Sequence, residues 1–461
     1  MRSYLSRNGL LALVGFLLLF PIAPTFGQSD SGFVVTRLNN GQPIIDQAMF
    51  AAVGEEDEGA NINGPSLIRI PDWILPSERA DPSAVYYLYF AHHAGDYIRM
   101  AWATDVVGPW TLYQTGSDVL VGDRGVLDNG NMTINVGMGI EIEENHLASP
   151  DVHIDNETQQ IIMYFHSGSR TLYNGHQVGS QNTWVSTSGD GLEFLDNIRP
   201  VRLGSSYFRV FSHGGELYSL DNSGFPRRAR DPDNPWEPTA DYYSSMTTIP
   251  SLWEQHPNRV LQDPISDLGI DRSDLRVRHT AVRVVGDELQ VFYTERGANP
   301  QGSVNPERVL FSTIDLGVDD WEDWQFSYPG EVLLEATSGW EGGQFEALPS
   351  EAGAAPENVN QLRDPGIFED ADGTLYLIYA GQGEDALGIA RLSTVSDVLV
   401  GDMNGDGVID FLDIRPFIVA LSDPAAYQAS FNLDADVSGD TNGDGVFDFL
   451  DISGFIVLLS G

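Results

Sequence analysis

The chain has 461 residues and sets 67 acidic side chains against 24 basic ones, a formal net charge of −43. That balance excludes a nucleic-acid partner, whose phosphates it would repel, and disfavours an anionic membrane surface; it reads as solubility in a salty exterior. There is no cysteine, which excludes a disulfide framework, a lipid-bearing cysteine and thiol chemistry.

Residues 1–27 read as a signal peptide. Arg2 and Arg7 precede an apolar run at residues 10–20, and prolines and small residues follow. The run is too short for a membrane anchor, and no later stretch is long and apolar enough to span. A secreted or cell-surface-associated bacterial protein is expected.

Residues 28–397 show short runs of Val, Ile, Tyr, Phe and Leu broken by Gly, Asp, Asn and Pro, with no helical period. One unit recurs five times: an inner strand, a turn, an aromatic-rich strand, then another strand. The inner strands begin near Pro65, Ser149, Tyr207, Arg278 and Arg363. Five small antiparallel sheets predict a mostly β fold, a five-bladed β-propeller, because radial closure hides strand edges. Long loops at residues 113–144 and 223–277 interrupt the spacing.

Ala148-Ser149-Pro150-Asp151-Val152, Arg363-Asp364-Pro365 with the following Asp-Gly turn, and Ser186-Thr-Ser-Gly-Asp190-Gly191 carry a resemblance. They resemble the five-bladed propellers of the glycoside hydrolase superfamily that includes families 32, 43 and 117. The resemblance implies O-glycosyl hydrolysis of a polysaccharide or oligosaccharide in an axial pocket, with two acid/base groups flanking the bond. Asp151 and Asp364 are the carboxyl candidates, and a flanking Arg363 is expected to hold Asp364 ionised. Family 43 has carboxylates where this chain has Asn63-Gly64-Pro65, Tyr207-Phe208-Arg209 and Arg278-His279. His279 then becomes the candidate for the missing acid, as family 117 suggests and imidazole chemistry permits. Glu341 or Glu346, in a loop before the fifth unit, could swing over the pocket, and Glu346 joins the catalytic set. Arg209, Arg278, His166 and His93 are the substrate-binding candidates. A non-catalytic glycan-binding or structural propeller is the alternative.

Residues 398–461 repeat one twelve-residue loop. Asp402, Asn404, Asp406, Val408 (through its carbonyl), Asp410 and Asp413 recur as Asp440, Asn442, Asp444, Val446, Asp448 and Asp451. Oxygen ligands at positions 1, 3, 5, 7, 9 and 12, with Gly at 6, form the ladder that Ca²⁺ takes in EF-hands. Each loop leads into a helix, but none enters it, and position 12 is Asp instead of Glu. A duplicated loop-then-helix of this kind resembles a type I dockerin. The resemblance implies two Ca²⁺ sites and a cohesin-like surface protein as partner. Contacts would fall at positions 10 and 11, here Phe411-Leu412 and Phe449-Leu450. Those pairs either form a docking face or fill the module's own core.

Overall fold

The computed structural model describes residues 32–460 apart from 129, 131–133, 138–139, 174–175, 200, 223, 239–250, 258–275, 297–305, 327–329, 338, 352, 395–398, 432, 434 and 444–445. The expected signal segment, residues 1–27, lies outside the described residues.

The expected propeller is present as five antiparallel sheets. The inner strands are Asn63–Arg69, Ile140–Asp155, Arg209–His213, Arg276–Val285 and Arg363–Glu369, which open blades 1 to 5. Blades 1 to 4 run outward in chain order. Blade 5 instead takes its outermost strand from the beginning of the chain: Phe33–Arg37 pairs antiparallel with Ala386–Thr394. The ring is therefore closed by residues more than 350 positions apart, as the pairing of Val35 with Leu392 shows. This closing strand is not evident from the five-unit repeat, because it is a single strand without its own turn and partner.

Each blade is buried on both faces. Along Tyr86–Ala91 every residue is buried. Tyr87, Tyr89 and Ala91 enter the core shared with blade 2, whereas Tyr86, Leu88 and Phe90 enter the core shared with blade 5. Leu375, Leu377 and Tyr379 likewise face blade 4, and Ile378 and Ala380 face blade 1. The period of 2 in a strand sends alternate side chains to opposite faces, so a two-sided blade reads as a continuous apolar run. Five cores result, one at each blade interface.

The closing strand is clasped. Arg37 Nε donates to Glu341 Oε1 at 2.7 Å, Tyr379 Oη donates to the same oxygen at 2.6 Å, and Thr337 donates to Glu341 Oε2 from both N and Oγ1 at 2.7 Å. Glu341 thus lies buried beneath the edge of blade 5, away from the role over the pocket expected of it, and Glu346 is exposed.

After the propeller come two loop-and-helix units. The helices are Ile414–Ser422 and Ile452–Leu459. Two further short helices, Pro424–Phe431 and Ala435–Ser438, lie between them, the second within residues 430–439, which are rich in Asp, Asn and Gly. Phe417 and Phe455, fifteen residues into their respective repeats, stack at 4.1 Å and 12°. The two units therefore meet as near-copies across their shared core.

Truncating a buried ion-pair partner strands the other charge, which costs about 3–5 kcal/mol. Glu341→Ala should lower the unfolding free energy by about that amount in urea. Arg37→Ala should give a similar loss, and the double variant much less than the sum. Additive effects would show that the clasp does not act as a unit.

Candidate functional site

Every inner strand enters through a residue in the left-handed region: Gly64, Ser149, Tyr207, His279 and Asp364, with φ between 45° and 63°. Four of the five coincide with interruptions of the ladder, between Asn63 and Ser66, Ala148 and Asp151, Arg278 and Thr280, and Arg363 and Gly366. A bulge there re-aims one side chain out of the pleat. For residues other than glycine this is a strained backbone, and such strain concentrates at functional sites.

The five positions form a ring of contacts. A Cβ on Gly64 would lie 3.1 Å from Ser149 Cα. Arg209 Nη1 donates to Ser149 O at 3.4 Å. The Tyr207 and His279 rings lie 5.3 Å apart, and His279 Nε2 stands 3.4 Å from Asp364 Oδ1. A Cβ on Gly366 would meet Pro65 O at 2.6 Å, which brings blade 5 back to blade 1.

This register corrects one expectation. The axial counterpart of Asp364 is Ser149, and Asp151 lies two residues further along. At that later position the side chains stitch neighbouring blades. Ser66 Oγ accepts from Val152 N at 2.9 Å, Asp151 Oδ2 accepts from Val210 N at 2.8 Å, and Arg209 Nε donates to Thr280 O at 2.8 Å. His153 Nε2 also sits 2.9 Å from Asp151 Oδ2. Burial would raise the Asp151 carboxyl, but His153, Arg209 and the Val210 N–H hold it below the ordinary range. Asp151 and Arg209 are struts between blades in this arrangement.

Asp364 is different. It is 2% exposed, and its Oδ2 has no hydrogen-bond partner. Burial, reinforced by the charges of Glu384 and Glu307, pushes its carboxyl above the usual range despite His279 and Arg278. Arg363, expected to hold it ionised, is committed elsewhere. Its Nε lies 3.0 Å from Glu307 Oε2 and its Nη1 2.9 Å from Glu384 Oε1. Burial in turn lowers the His279 imidazole, although Asp364 and Glu307 act in the opposite sense. Arg278 Nε donates to His279 Nε2 at 3.1 Å. The surroundings thus push the carboxyl up and the imidazole down, each toward its uncharged form.

Two buried carboxylates of this site escape sequence reading. Glu307 is bound by Arg363, Thr294 Oγ1 at 2.6 Å, and Ser350 Oγ. Glu384 is bound by Arg363 and by Asn61 Nδ2 at 2.5 Å, with His93 Nδ1 3.6 Å away. Burial would raise both, but Arg363, with Arg278 on Glu307 and with His93 and Asn61 on Glu384, drives both well below the ordinary carboxylate range. Each lies in what reads as a polar loop, and the only hint in the sequence is an acidic residue beside Pro306 or Gly383. Arg278 is also anchored, donating to Glu351 O at 2.8 Å and Gly353 O at 2.7 Å.

The expected histidines continue the site on one side. His166 is buried, stacks on Tyr207 at 4.4 Å, and approaches His146 Nε2 through its own Nε2 at 2.9 Å. Burial, with His146 and Arg209 beside it, depresses its imidazole strongly. The structure thus brings together Asp364, His279, Arg278, His166 and His93, and leaves Glu346 apart in an exposed segment. Among the described residues no three His, Asp or Glu side chains are grouped to hold a metal ion.

In the C-terminal repeats the Asp turns are wound. Asp402 Oδ1 accepts from Gly405 N at 2.7 Å and its Oδ2 from Gly407 N at 2.7 Å. Asp413 is buried and accepts from Met403, Asn404 and Asp410 N–H at 2.8–3.0 Å. Asp451 does the same with Asn442 and Asp448. Asp410 and Asp448 cap their turns at φ −146° in both copies. Asp444 lies outside the described residues. Phe411 and Leu412 are 78% and 67% exposed, and Phe449 and Leu450 73% and 68%. Val408 and Val446 are exposed to nearly equal degrees too. The pairs therefore do not fill the module's core, which Phe417, Phe455, Met403 and Tyr427 occupy.

A carboxyl raised by burial binds its proton more tightly in the folded chain, so it subtracts stability as pH climbs from the unfolded value, about 4, through the raised one. Asp364→Asn removes that penalty. The variant should match wild type below about pH 4 and become relatively more stable above it, in unfolding curves taken across pH. A variant that grows less stable with rising pH would show that Asp364 is ionised in the fold.

No protein-family profile matches the chain. "Uncharacterized protein R118" of Acanthamoeba polyphaga mimivirus is 31% identical over 386 residues, covering 82% of this chain and 96% of that protein. Among solved structures, a GH43 protein of Bacillus licheniformis overlays with TM-score 0.40 at 10% identity, over 77% of this chain; the chain spans about half, 54%, of its length. A GH43 β-xylosidase/α-arabinofuranosidase from a compost metagenome gives 0.41 at 12% identity, over 78% of this chain and 94% of that one. A GH130 structure described among hydrolases targeting β-1,2 mannosidic linkages in Candida mannan gives 0.43 at 11% identity, over 80% and 95%. At such similarity no residue of those proteins has an assigned counterpart here. Among the described residues no helix is long and apolar enough to cross a membrane. By its identity and coverage, the chain belongs to the family of the mimivirus protein R118.

Proposed function

We propose that the propeller is a secreted glycan-processing enzyme, a glycoside hydrolase acting at its axis on an oligosaccharide or polysaccharide. The observation that supports this most is Asp364: a buried carboxyl, raised by its burial, with an unpartnered Oδ2 and with Oδ1 3.4 Å from His279 Nε2. Cleaving a glycosidic bond needs a proton delivered to the leaving oxygen. A carboxylic acid held protonated by burial is suited to that delivery. On this reading Oδ2 gives the proton to the leaving oxygen. As the glycosidic C–O bond breaks a water adds to the anomeric carbon, and His279, beside Oδ1, takes the proton that water loses and passes it to Asp364, which restores the acid. Glu307 and Glu384 anchor Arg363, and Glu307 with the Glu351 and Gly353 carbonyls anchors Arg278, so the couple is fixed before substrate arrives.

A second reading is favoured by one specific observation. Glu307, Glu384 and Asp151 are tied to cations or to backbone N–H groups, so none of these three described carboxylates is free to act opposite Asp364. A glycan-binding propeller without turnover would need none.

The repeats at residues 398–461 are read as a calcium-dependent dockerin-like tether. The donors are oxygens only, which fits a hard cation. Asp402, Asn404, Asp406, Val408, Asp410 and Asp413 would hold one ion, and Asp440, Asn442, Asp444, Val446, Asp448 and Asp451 the other. The ion would supply charge neutralisation of the Asp turns. The exposed Phe411-Leu412 and Phe449-Leu450 pairs would meet a cohesin-like partner. Export through residues 1–27 belongs to the same proposal.

Reducing-end release from a polysaccharide panel tests the enzyme. Asp364→Asn and His279→Ala should each lower the rate about 10²- to 10⁴-fold while pull-down on the same glycan persists. No release by wild type on any glycan, with retained pull-down, selects the binding reading. For the tether, calorimetry should show two calcium sites, and EGTA should reduce the helical circular dichroism signal; a chain silent in both would remove the calcium claim.

A further inference from the structure

The closing strand has two sides. Phe33 and Val35 enter the core shared with blade 4, and Arg37 is held by Glu341. Val34, on the opposite side of the pleat, faces away from that core and packs against the core of the C-terminal module. Around this contact the two parts line a common cavity of about 410 Å³, with Thr36, Arg391 and Leu392 from blade 5 and Asp402, Gly405 and Leu433 from the module. Only residues 395–398 separate the end of Ala386–Thr394 from the module.

The first repeat carries the contact. A Cβ on Gly405 would lie 3.2 Å from Leu433 Cδ1 and 3.6 Å from Arg391 Nη2, whereas one on its counterpart Gly443 would meet nothing within 4 Å among the described residues. Asp402 is buried and Asn404 half-buried, but Asp440 is half-buried and Asn442 exposed. Leu433, itself buried, belongs both to the module's core and to the lining of the cavity. The Phe411-Leu412 and Phe449-Leu450 pairs stay exposed in both repeats, so the seat uses a different surface from theirs.

We infer that the C-terminal module is a latch on the propeller: seated on the outward face of Phe33–Arg37, it holds the closing strand in blade 5, so that unfolding of the module loosens the ring. The closing strand pairs along one edge only, with Ala386–Thr394, and a terminal edge strand is where a fold frays first. A body that binds the strand only in its closed position adds its own binding to closure. The short connection keeps that body at high local concentration. Linkage is reciprocal, so the closed strand also supports the module, whose core Val34 helps to cover. The module thus has a task within its own chain, besides any partner it meets.

The test reads two signals that the chain keeps apart. All nine tryptophans lie between residues 73 and 340, so tryptophan fluorescence follows the propeller. Four of the five α-helices among the described residues lie in the module, so the helical circular dichroism signal follows the module. In melts of the full chain in calcium-containing buffer, Phe417→Ala, which removes the stack on Phe455, should reduce the helical signal and lower the tryptophan transition by about 2–4 °C. Leu433→Ala, which trims the module's side of the seat, should lower the tryptophan transition by a similar amount while the helical signal before melting is retained. Val457→Ala, 71% exposed on the last helix, should move neither. A tryptophan transition that stays in place when Phe417→Ala has lost its helical signal, or one that Leu433→Ala does not move, would overturn the latch and leave the module an independent appendage.

Discussion

Closure of the ring is the constraint on which the rest of the molecule depends. A blade buried on both faces has no stable existence alone, because each face needs the next blade. Tyr87 and Tyr89 need Ile161 and Trp184 of blade 2, and Phe368 and Ile378 need Leu67 and Leu88 of blade 1. The chain satisfies the last interface by lending Phe33–Arg37 to blade 5 and holding it through Glu341. Hydrophobic burial supplies the drive, at about 1.5–3 kcal/mol for each large side chain. The register of one strand decides whether that drive acts on all five cores or on four.

The axis is where this economy of apolar packing gives way. Five left-handed entries turn their first residues away from the blade cores, and the interior there fills with charge: Arg278 and Arg363 against Glu307 and Glu384. Such a network is stable only when nearly every member is satisfied. Arg278, Arg363, Glu307 and Glu384 are paired, and against them the unpartnered Asp364 Oδ2 stands out. The surrounding ion pairs keep positive charge occupied elsewhere, and burial then raises the Asp364 carboxyl.

Much of the fold is legible in sequence because two-sided blades write themselves as apolar runs of strand length between turn residues. The Tyr-Tyr-Leu-Tyr-Phe and Leu-Tyr-Leu-Ile-Tyr runs are such blades. The closing strand is illegible because its pairing partner is distant and its own run is short. At the axis, Asp364 and His279 are legible as residues placed at strand entries. The direction in which the Asp364 carboxyl is shifted is not, since adjacency to Arg363 in sequence says nothing about where its guanidinium goes. The bulges shift Asp151 off the axis by two residues, which no reading of an aligned motif detects. Glu307 and Glu384 are hidden because burial of a loop residue depends on the loops packed over it. In the tail, an exposed Phe-Leu pair and a core Phe-Leu pair have the same letters, and only the stacking of Phe417 on Phe455 shows which residues fill the interior.

The closing strand also orders events in time. Val35 cannot find Leu392 until nearly the whole propeller has been made, so this strand pairing has the largest sequence separation in the ring and the slowest search. Until then the molecule is an open arc in which the Ala386–Thr394 edge of blade 5 is unpaired and one face each of blades 1 and 5 is uncovered. Open edges of that kind invite pairing between chains. A net charge of −43 keeps such arcs apart while they wait. The acidity of this chain, read at first as adaptation of the finished surface, is thus also a safeguard for the unfinished one.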